Sequence, residues 1–338
     1  MKSVIITGIA GQDGAFLAKL LLAKGYKVYG ADRRRVDTEY WRLQDLGILD
    51  KIEFLYFDLL EESRIHDVIR NYRPTEFYNL AAQSFVKASW DMPVLTSKVN
   101  GLAVVYILEA IRLWSPHTRF YQASTSEMFG LVQDPVQSEK TKLYPRSPYG
   151  VSKVLGHLMT INYRESYNLF AVSGILFNHE SEYRGKEFVT KKITSYIALR
   201  LSGKISESLK LGNLDAKRDW GYAGDFVTGM WLMLQAQKAE DFVLATGNSY
   251  SVREFVILAF KCVGIDIKFT GQGINEIGFD SATGKVLVEV SDAFYRPAEV
   301  DILLGDATKA REVLGWSIST SFEEMVSRMV KFDLDRIS

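Results

Sequence analysis

Residues 4–14 read VIITGIAGQDG, and the fold turns on this stretch. Four apolar or β-branched residues followed by Gly8, Gly11 and Gly14 fit a buried strand, a tight turn and the opening of a helix. The continuation, GAFLAKLLLAKG (14–25), sets Phe16, Leu17, Leu20 and Leu21 on one helical face, with Gly25 as the stop. Alone, a GxxGxxG spacing is often just a turn. Placed between an N-terminal strand and an amphipathic helix it has a mechanism. Glycines let the backbone turn tightly and approach a pyrophosphate, which then rests on free N–H groups at the helix N-terminus. The spacing therefore predicts a dinucleotide site on Gly8, Gly11, Gln12, Asp13 and Gly14.

Working outward, short apolar runs recur: KVYGA (27–31), IEFLYFD (52–58), EFYNLAA (76–82), RFYQAS (119–124) and FAVSGILF (170–177). Longer segments of helical spacing separate them, such as NGLAVVYILEAIRLW (100–114). Apolar runs without alternation suit strands buried on both faces. Repeated strand–helix alternation predicts an α/β, Rossmann-type doubly wound parallel sheet. Past about residue 178 the pattern loosens: 178–216 and the glycine-rich 264–290 do not continue it. Between them, GYAGDFVTGMWLMLQAQ (221–237) and DFVLATG (241–247) again read as helix then strand. Residues 1–177 plus about 217–247 are expected to form the dinucleotide-binding domain. About 178–216 and 248–338 are expected to form a second, smaller α/β lobe that faces the substrate.

Composition narrows the function. With 338 residues, 41 basic and 41 acidic, the chain has no global field to draw nucleic acid or an anionic membrane. Any anionic ligand must be held by local cations. The single cysteine, Cys262, excludes an internal disulfide framework and a multi-cysteine metal site, and its apolar surroundings suggest a buried small side chain. No basic leader and no run of about 18 apolar residues is evident, so a soluble cytoplasmic protein is expected. His179 has no second histidine spaced to share a metal, and reads as a hydrogen bonder; His157 reads as packing.

The end of the second strand bears on which dinucleotide binds. A carboxylate there bonds an adenosine ribose 2′-OH, whereas arginines favour a 2′-phosphate. The chain offers Asp32 followed by Arg33, Arg34 and Arg35. Three cations against one anion favour NADP over NAD. Asp58, with Leu59, closes the third strand where an adenine edge would lie, and Leu80, Ala81 and Ala82 offer small side chains beside the cofactor.

The chemistry gathers at the fifth strand. QASTSEMFG (122–130) brings Thr125, Ser126 and Glu127 to the carboxyl end of the sheet, where such folds bind ligands. YGVSK follows on the next helix, and Tyr149 and Lys153, at i and i+4, share a face. A phenol is a poor base at neutral pH. A nearby ammonium and an oxidised nicotinamide should lower its pKa so that it can take a proton from a sugar hydroxyl as hydride leaves the same carbon. Thr125 would hold that oxygen. Neither step needs Glu127. A carboxylate is needed when a proton must leave the carbon α to the new carbonyl, with loss of water from the neighbouring position.

TGIAGQDG, NLAAQSFV, FYQASTSEMFG, YPRSPYGVSK, NYRES, GILFNHES, RDWG and FYRPAEVD together resemble the extended short-chain dehydrogenase/reductases, and within them the GDP-mannose 4,6-dehydratase family. The similarity runs over essentially the whole chain. It implies NADP, a GDP-sugar substrate, a homo-oligomer (tetramer or dimer), and catalytic roles at Thr125, Glu127, Tyr149 and Lys153. It also implies substrate contacts at Ser84, Ser126, Asn178, Glu180, Arg184, Lys192, Gly212, Asn213, Arg218, Arg296 and Glu299. Of these, Arg184, Lys192, Arg218 and Arg296 would form the local phosphate clamp that a neutral chain requires, and Glu299 would meet guanine.

Three other readings remain open from the residues. One is a nucleotide-sugar epimerase or reductase on the same scaffold, which Glu127 argues against. Another is a non-catalytic dinucleotide-binding module, which would not need an intact Tyr149/Lys153 pair. The third keeps the dehydration and changes the sugar to a GDP-linked manno-heptose. Tyr183 and Arg184 are where that choice would be made.

Overall fold

A computed structural model describes residues 1–33, 40–294 and 303–337. Seven parallel strands build the larger sheet: β1 (Ser3–Thr7), β2 (Lys27–Asp32), β3 (Ile52–Tyr56), β4 (Glu76–Asn79), β5 (Arg119–Thr125), β6 (Ala171–Leu176) and β7 (Phe242–Leu244). Their spatial order is β7-β6-β5-β4-β1-β2-β3. All four residues of β4 and all six of β6 are buried. Helices cover both faces, which is why these strands read as apolar runs rather than alternating ones. The chain winds outward from β1 in both directions. The strand order therefore reverses between β1 and β4, and a crevice opens there at the carboxyl ends.

Helix α1 (Gln12–Ala23) buries Leu17, Ala18 and Leu21 and ends at Gly25, whose φ of +79° is the left-handed stop that its sequence suggested. A short α2 (Trp41–Asp45) follows β2, α3 (Glu62–Tyr72) follows β3, and α4 (Ala103–Trp114) precedes β5. The helical run Pro93–Trp114, which ends in α4, is by length and mean hydropathy apolar enough to cross a membrane, although Lys98, Glu109 and Arg112 interrupt it. Half of it is buried, and α4 packs on α3 and on α5 (Pro148–Tyr167) as a core helix. α5 starts where its sequence requires: Ser147 Oγ accepts from Gly150 N at 3.0 Å, and Pro148 takes the first turn, where a missing N–H costs nothing.

The segments that broke the alternation are more regular than expected. Strands Ile267–Thr270, Ile277–Asp280 and Val286–Val290 pair antiparallel, and Leu209–Leu211 joins the last in parallel, giving a four-stranded sheet. It packs with helices α6 (Val189–Leu201), α8 (Val252–Lys261) and the C-terminal α9 (Phe322–Ile337) around a second apolar core, while α7 (Ala223–Gln235) packs on α1 in the first. Phe16, on α1, packs against both this core and the main one. Cys262 corrects its sequence reading. α8 buries Val252, Phe255, Val256, Ala259 and Phe260 but ends at Lys261, which leaves Cys262 exposed.

Candidate active site

β1 runs into a turn that only glycine can make. Gly8 has φ +71°, and a Cβ there would lie 2.8 Å from Ala81 N. A Cβ at Gly14 would collide with the Gly8 carbonyl. Gly11 is the extended N-cap of α1 and brings no side-chain cap, so the first-turn N–H groups have no side chain to satisfy them. The loop after β4 is laced to this turn by Thr7, whose Oγ1 accepts from Leu80 N (3.0 Å) and Ala81 N (3.1 Å) and donates to Asn79 Oδ1 (2.8 Å). Asn79 Nδ2 in turn donates to Gln122 Oε1 at 2.9 Å. This polar row, in register across β1, β4 and the middle of β5, was missed in the sequence; a polar residue inside or ending each of three apolar runs was the available signal. Asn100, 2% exposed, was missed too: it exchanges two hydrogen bonds with the Gln83 backbone and fixes the same loop. The cradle at the switch point, a glycine turn that leads into the N-terminus of α1, fits the pyrophosphate of a nicotinamide dinucleotide.

Two of the predicted cofactor residues have their side chains engaged elsewhere. Gln12 Nε2 donates to the His179 carbonyl (3.1 Å), and Gln12 Oε1 accepts from Ser181 Oγ (2.7 Å). Asp13 Oδ2 meets His179 Nε2 at 2.8 Å, while His179 Nδ1 meets the Phe177 carbonyl at 2.7 Å. A carbonyl on one ring nitrogen and a carboxylate on the other both demand donors, so His179 is an imidazolium. Burial works against that charge, but Asp13 outweighs it and raises the His179 pKa, and His179 in return holds the Asp13 carboxyl below its ordinary range. What Gln12 and Asp13 offer a phosphate is backbone N–H. At the end of β2, Asp32 Oδ1 accepts from Arg33 N (2.7 Å), and Arg33 is exposed; Arg34 and Arg35 lie outside the described residues. Asp58 Oδ1 caps the turn into α3 through Leu60 N (3.0 Å), beside the buried Leu59.

The four predicted catalytic side chains lie at the end of β5, on the 3-10 turn Ser126–Met128 that follows it, and on α5. Thr125 ends β5, and its Oγ1 accepts from Glu127 N at 3.3 Å. Burial is the largest influence on the Tyr149 phenol; the Thr125 hydroxyl acts to lower its pKa and the Glu127 charge to raise it. Ser126 is buried between them. Gly150 lets α5 close on this turn, since a Cβ there would sit 2.8 Å from the Glu127 carbonyl. Lys153 Nζ donates to the Ala123 carbonyl (2.8 Å) and stands 5.9 Å from the Tyr149 ring centre. The expected lowering of the Tyr149 pKa is not found in the protein by itself. Burial pushes Tyr149 well above its ordinary value, and burial also depresses Lys153 to about 8. His157 packs, with Nδ1 3.1 Å from Ser124 Oγ.

A cavity of about 510 Å³, lined by none of these four side chains, opens among the segments 85–91, 178–192 and 211–220, the size of a small-molecule site. Of the predicted substrate residues, Asn178, Glu180, Arg184, Lys192, Gly212, Asn213 and Arg218 line it. Ser84 is exposed and does not line it, Ser126 belongs to the catalytic turn, and Arg296 and Glu299 lie outside the described residues. Arg184 Nε meets Glu180 Oε2 at 3.0 Å, and the Arg184 charge acts to lower the Tyr149 pKa. The opposite wall, Phe85, Lys87, Trp90 and Asp91, was not foreseen. Among the described residues, no group of three or more His, Cys, Asp and Glu could hold a metal ion.

A doubly wound sheet with a glycine cradle at its switch point, and a tyrosine–lysine helix beside a hydroxyl and a carboxylate, defines a dinucleotide-binding enzyme of the short-chain dehydrogenase/reductase class. The family model for GDP-mannose 4,6 dehydratase matches residues 5–329. The GDP-mannose 4,6 dehydratases of Dictyostelium discoideum and Homo sapiens are each 47% identical, covering 99% and 98% of this chain and 97% and 91% of their own. This chain belongs to the GDP-mannose 4,6-dehydratase family. Among solved structures, the dTDP-glucose 4,6-dehydratase of Streptomyces venezuelae with NAD superposes with a TM-score of 0.82 at 20% identity, covering 98% of this chain and 96% of that one. RMD from Pseudomonas aeruginosa with NADPH gives 0.78 at 19%, covering 99% of this chain and 100% of that one. At such identities they share the fold.

Proposed function

We propose that this enzyme converts GDP-mannose to GDP-4-keto-6-deoxy-mannose, with NADP as a cofactor retained through turnover. Bound in the cradle, the nicotinamide would accept hydride from sugar C4 and later return it to C6. The chain's own groups do the rest. Tyr149 takes the O4 proton while Thr125 holds that oxygen, and the Lys153 ammonium supplies positive charge behind the phenol. Glu127 takes the C5 proton and passes it to the departing C6 hydroxyl, which leaves as water. Arg184, Lys192 and Arg218 face the diphosphate. The Asp32 carboxylate is drawn to its own turn, which supports NADP over NAD.

The observation that carries the proposal is a carboxylate, Glu127, on the turn that ends β5, its backbone carbonyl packed against Gly150 next to Tyr149. Oxidation at C4 alone has no use for it; removal of a proton at C5 does. Incubating the protein with GDP-mannose, without added reductant, should give a product lighter by one water. GDP-manno-heptose run in parallel tests the sugar, and failure of both to lose water would end the dehydratase reading.

A homo-oligomer is part of the same proposal. Val151, Leu155 and Leu158 are 43–54% exposed along one face of α5, beside exposed Val94, Leu95 and Leu102. Leu155→Glu should dissociate the assembly in light scattering; a wild-type monomer would refute it.

A further inference from the structure

The strap 178–184 lines the cavity through Asn178, Glu180 and Arg184, and it is anchored twice: to its own side, where 178–180 pair with Trp220–Tyr222 and Lys191 Nζ donates to the Glu182 carbonyl, and to the phosphate loop. Gln12 grips it at His179 and Ser181, and Asp13 at the His179 ring. A third grip comes from a residue in neither site. Arg42, on α2, donates through Nε to the Tyr183 carbonyl (2.8 Å) and through Nη1 to the Ala10 carbonyl (3.0 Å). One rigid guanidinium fork thus spans the phosphate loop and the strap, which a lysine's point charge cannot do. The fork is itself held: it stacks on Trp41, and Tyr183 sends its hydroxyl to Asp45 Oδ2 (2.6 Å). The Tyr183 ring packs against Phe16, Trp41 and Phe332. Burial disfavours the Arg42 charge and Arg336 opposes it, while Glu187, which also lines the cavity, favours it. A half-buried cation that does not line the cavity needs a reason, and its two carbonyl contacts supply one.

Resting on the reading above, we propose that Arg42 is a positioning residue that couples the two ligand sites. It ties the strap's geometry to the phosphate loop, so the dinucleotide and the nucleotide sugar each bind more tightly when the other is present. Linkage makes this reciprocal: whatever factor one ligand gains, the other gains too. Such coupling also keeps the cofactor in place while the sugar site is filled, as a redox-neutral cycle requires.

The test is calorimetric titration of NADP into the full-length protein, with and without saturating GDP as a non-reacting probe. Wild type should bind NADP about fivefold or more tightly with GDP present. Arg42→Met should lower that factor at least about twofold, and should raise KM for GDP-mannose with kcat nearly unchanged, because no reacting atom is touched. Arg42→Lys should fall between. Should Arg42→Met not fold, Tyr183→Phe keeps the ring packed and cuts only the Asp45 link, and it should lower the coupling likewise. Wild type binding both ligands independently, or coupling unchanged in the folded variants, would overturn the proposal. Wild type failing to bind GDP at all would instead overturn the nucleotide-sugar reading on which it rests.

Discussion

Thr7→Val is the sharpest test of how the cradle is built. The side chain is 1% exposed and its hydroxyl makes three hydrogen bonds, two accepted from Leu80 N and Ala81 N and one donated to Asn79 Oδ1. Valine fills nearly the same space and satisfies none of them. Asn79 is 2% exposed, so losing the donor to its buried carbonyl costs about 1–3 kcal/mol. The two N–H groups are only partly buried, and at about 0.5 kcal/mol each they add about 1. The sum is about 3 kcal/mol of folding stability, measured by urea unfolding with linear extrapolation. The same change frees the loop against which Gly8 abuts, so NADP affinity should fall about tenfold, the equivalent of about 1.4 kcal/mol. A loss under about 1 kcal/mol with NADP affinity unchanged would refute the account of the crevice.

Glu127→Gln should abolish water loss from GDP-mannose while leaving transient reduction of bound NADP, visible as nicotinamide absorbance; equal loss of both signals would assign Glu127 another role. Gly14→Ala puts a methyl against the Gly8 carbonyl, and NADP affinity should drop by at least about tenfold, or 1.4 kcal/mol, in a protein that still shows wild-type circular dichroism. The Asp13–His179 pair should mark the pH dependence of stability. His179 binds its proton more tightly folded than unfolded. Its contribution is therefore complete below about pH 6.5 and is lost, at up to about 1.4 kcal/mol per pH unit, as pH rises toward its folded value; Asp13→Asn should flatten that slope. Lys153 has the opposite sign. Depressed to about 8 against an ordinary 10.5, it releases its proton on folding between those values, so stability should rise with pH there, and Lys153→Met should remove the rise.

What was legible in the sequence is what neighbours in the chain encode. The strand, glycine turn and helix at 4–25 need no distant partner, and α5 announces itself through Ser147, Pro148 and the i, i+4 pair Tyr149 and Lys153. Cys262 was misplaced because one residue past a helix end changes which side faces solvent. The four-stranded sheet was hidden because its strands are short, glycine-interrupted and partnered by Leu209–Leu211 from far earlier in the chain. Gln12 and Asp13 looked like phosphate ligands because nothing near them in sequence hints at His179 and Ser181, more than 160 positions away. The raised Tyr149 pKa of the protein by itself was illegible for a related reason: i, i+4 spacing gives proximity to Lys153, but burial is a property of the whole fold, and it dominates both groups.

The central claim is that one hydride leaves C4 and returns to C6 of the same sugar while water is lost between. GDP-mannose carrying deuterium at C4 tests this directly. The account expects a product lighter by one water that keeps its deuterium, now at C6, with no reductant added. A product that keeps the water, or loses the deuterium to solvent, would contradict it.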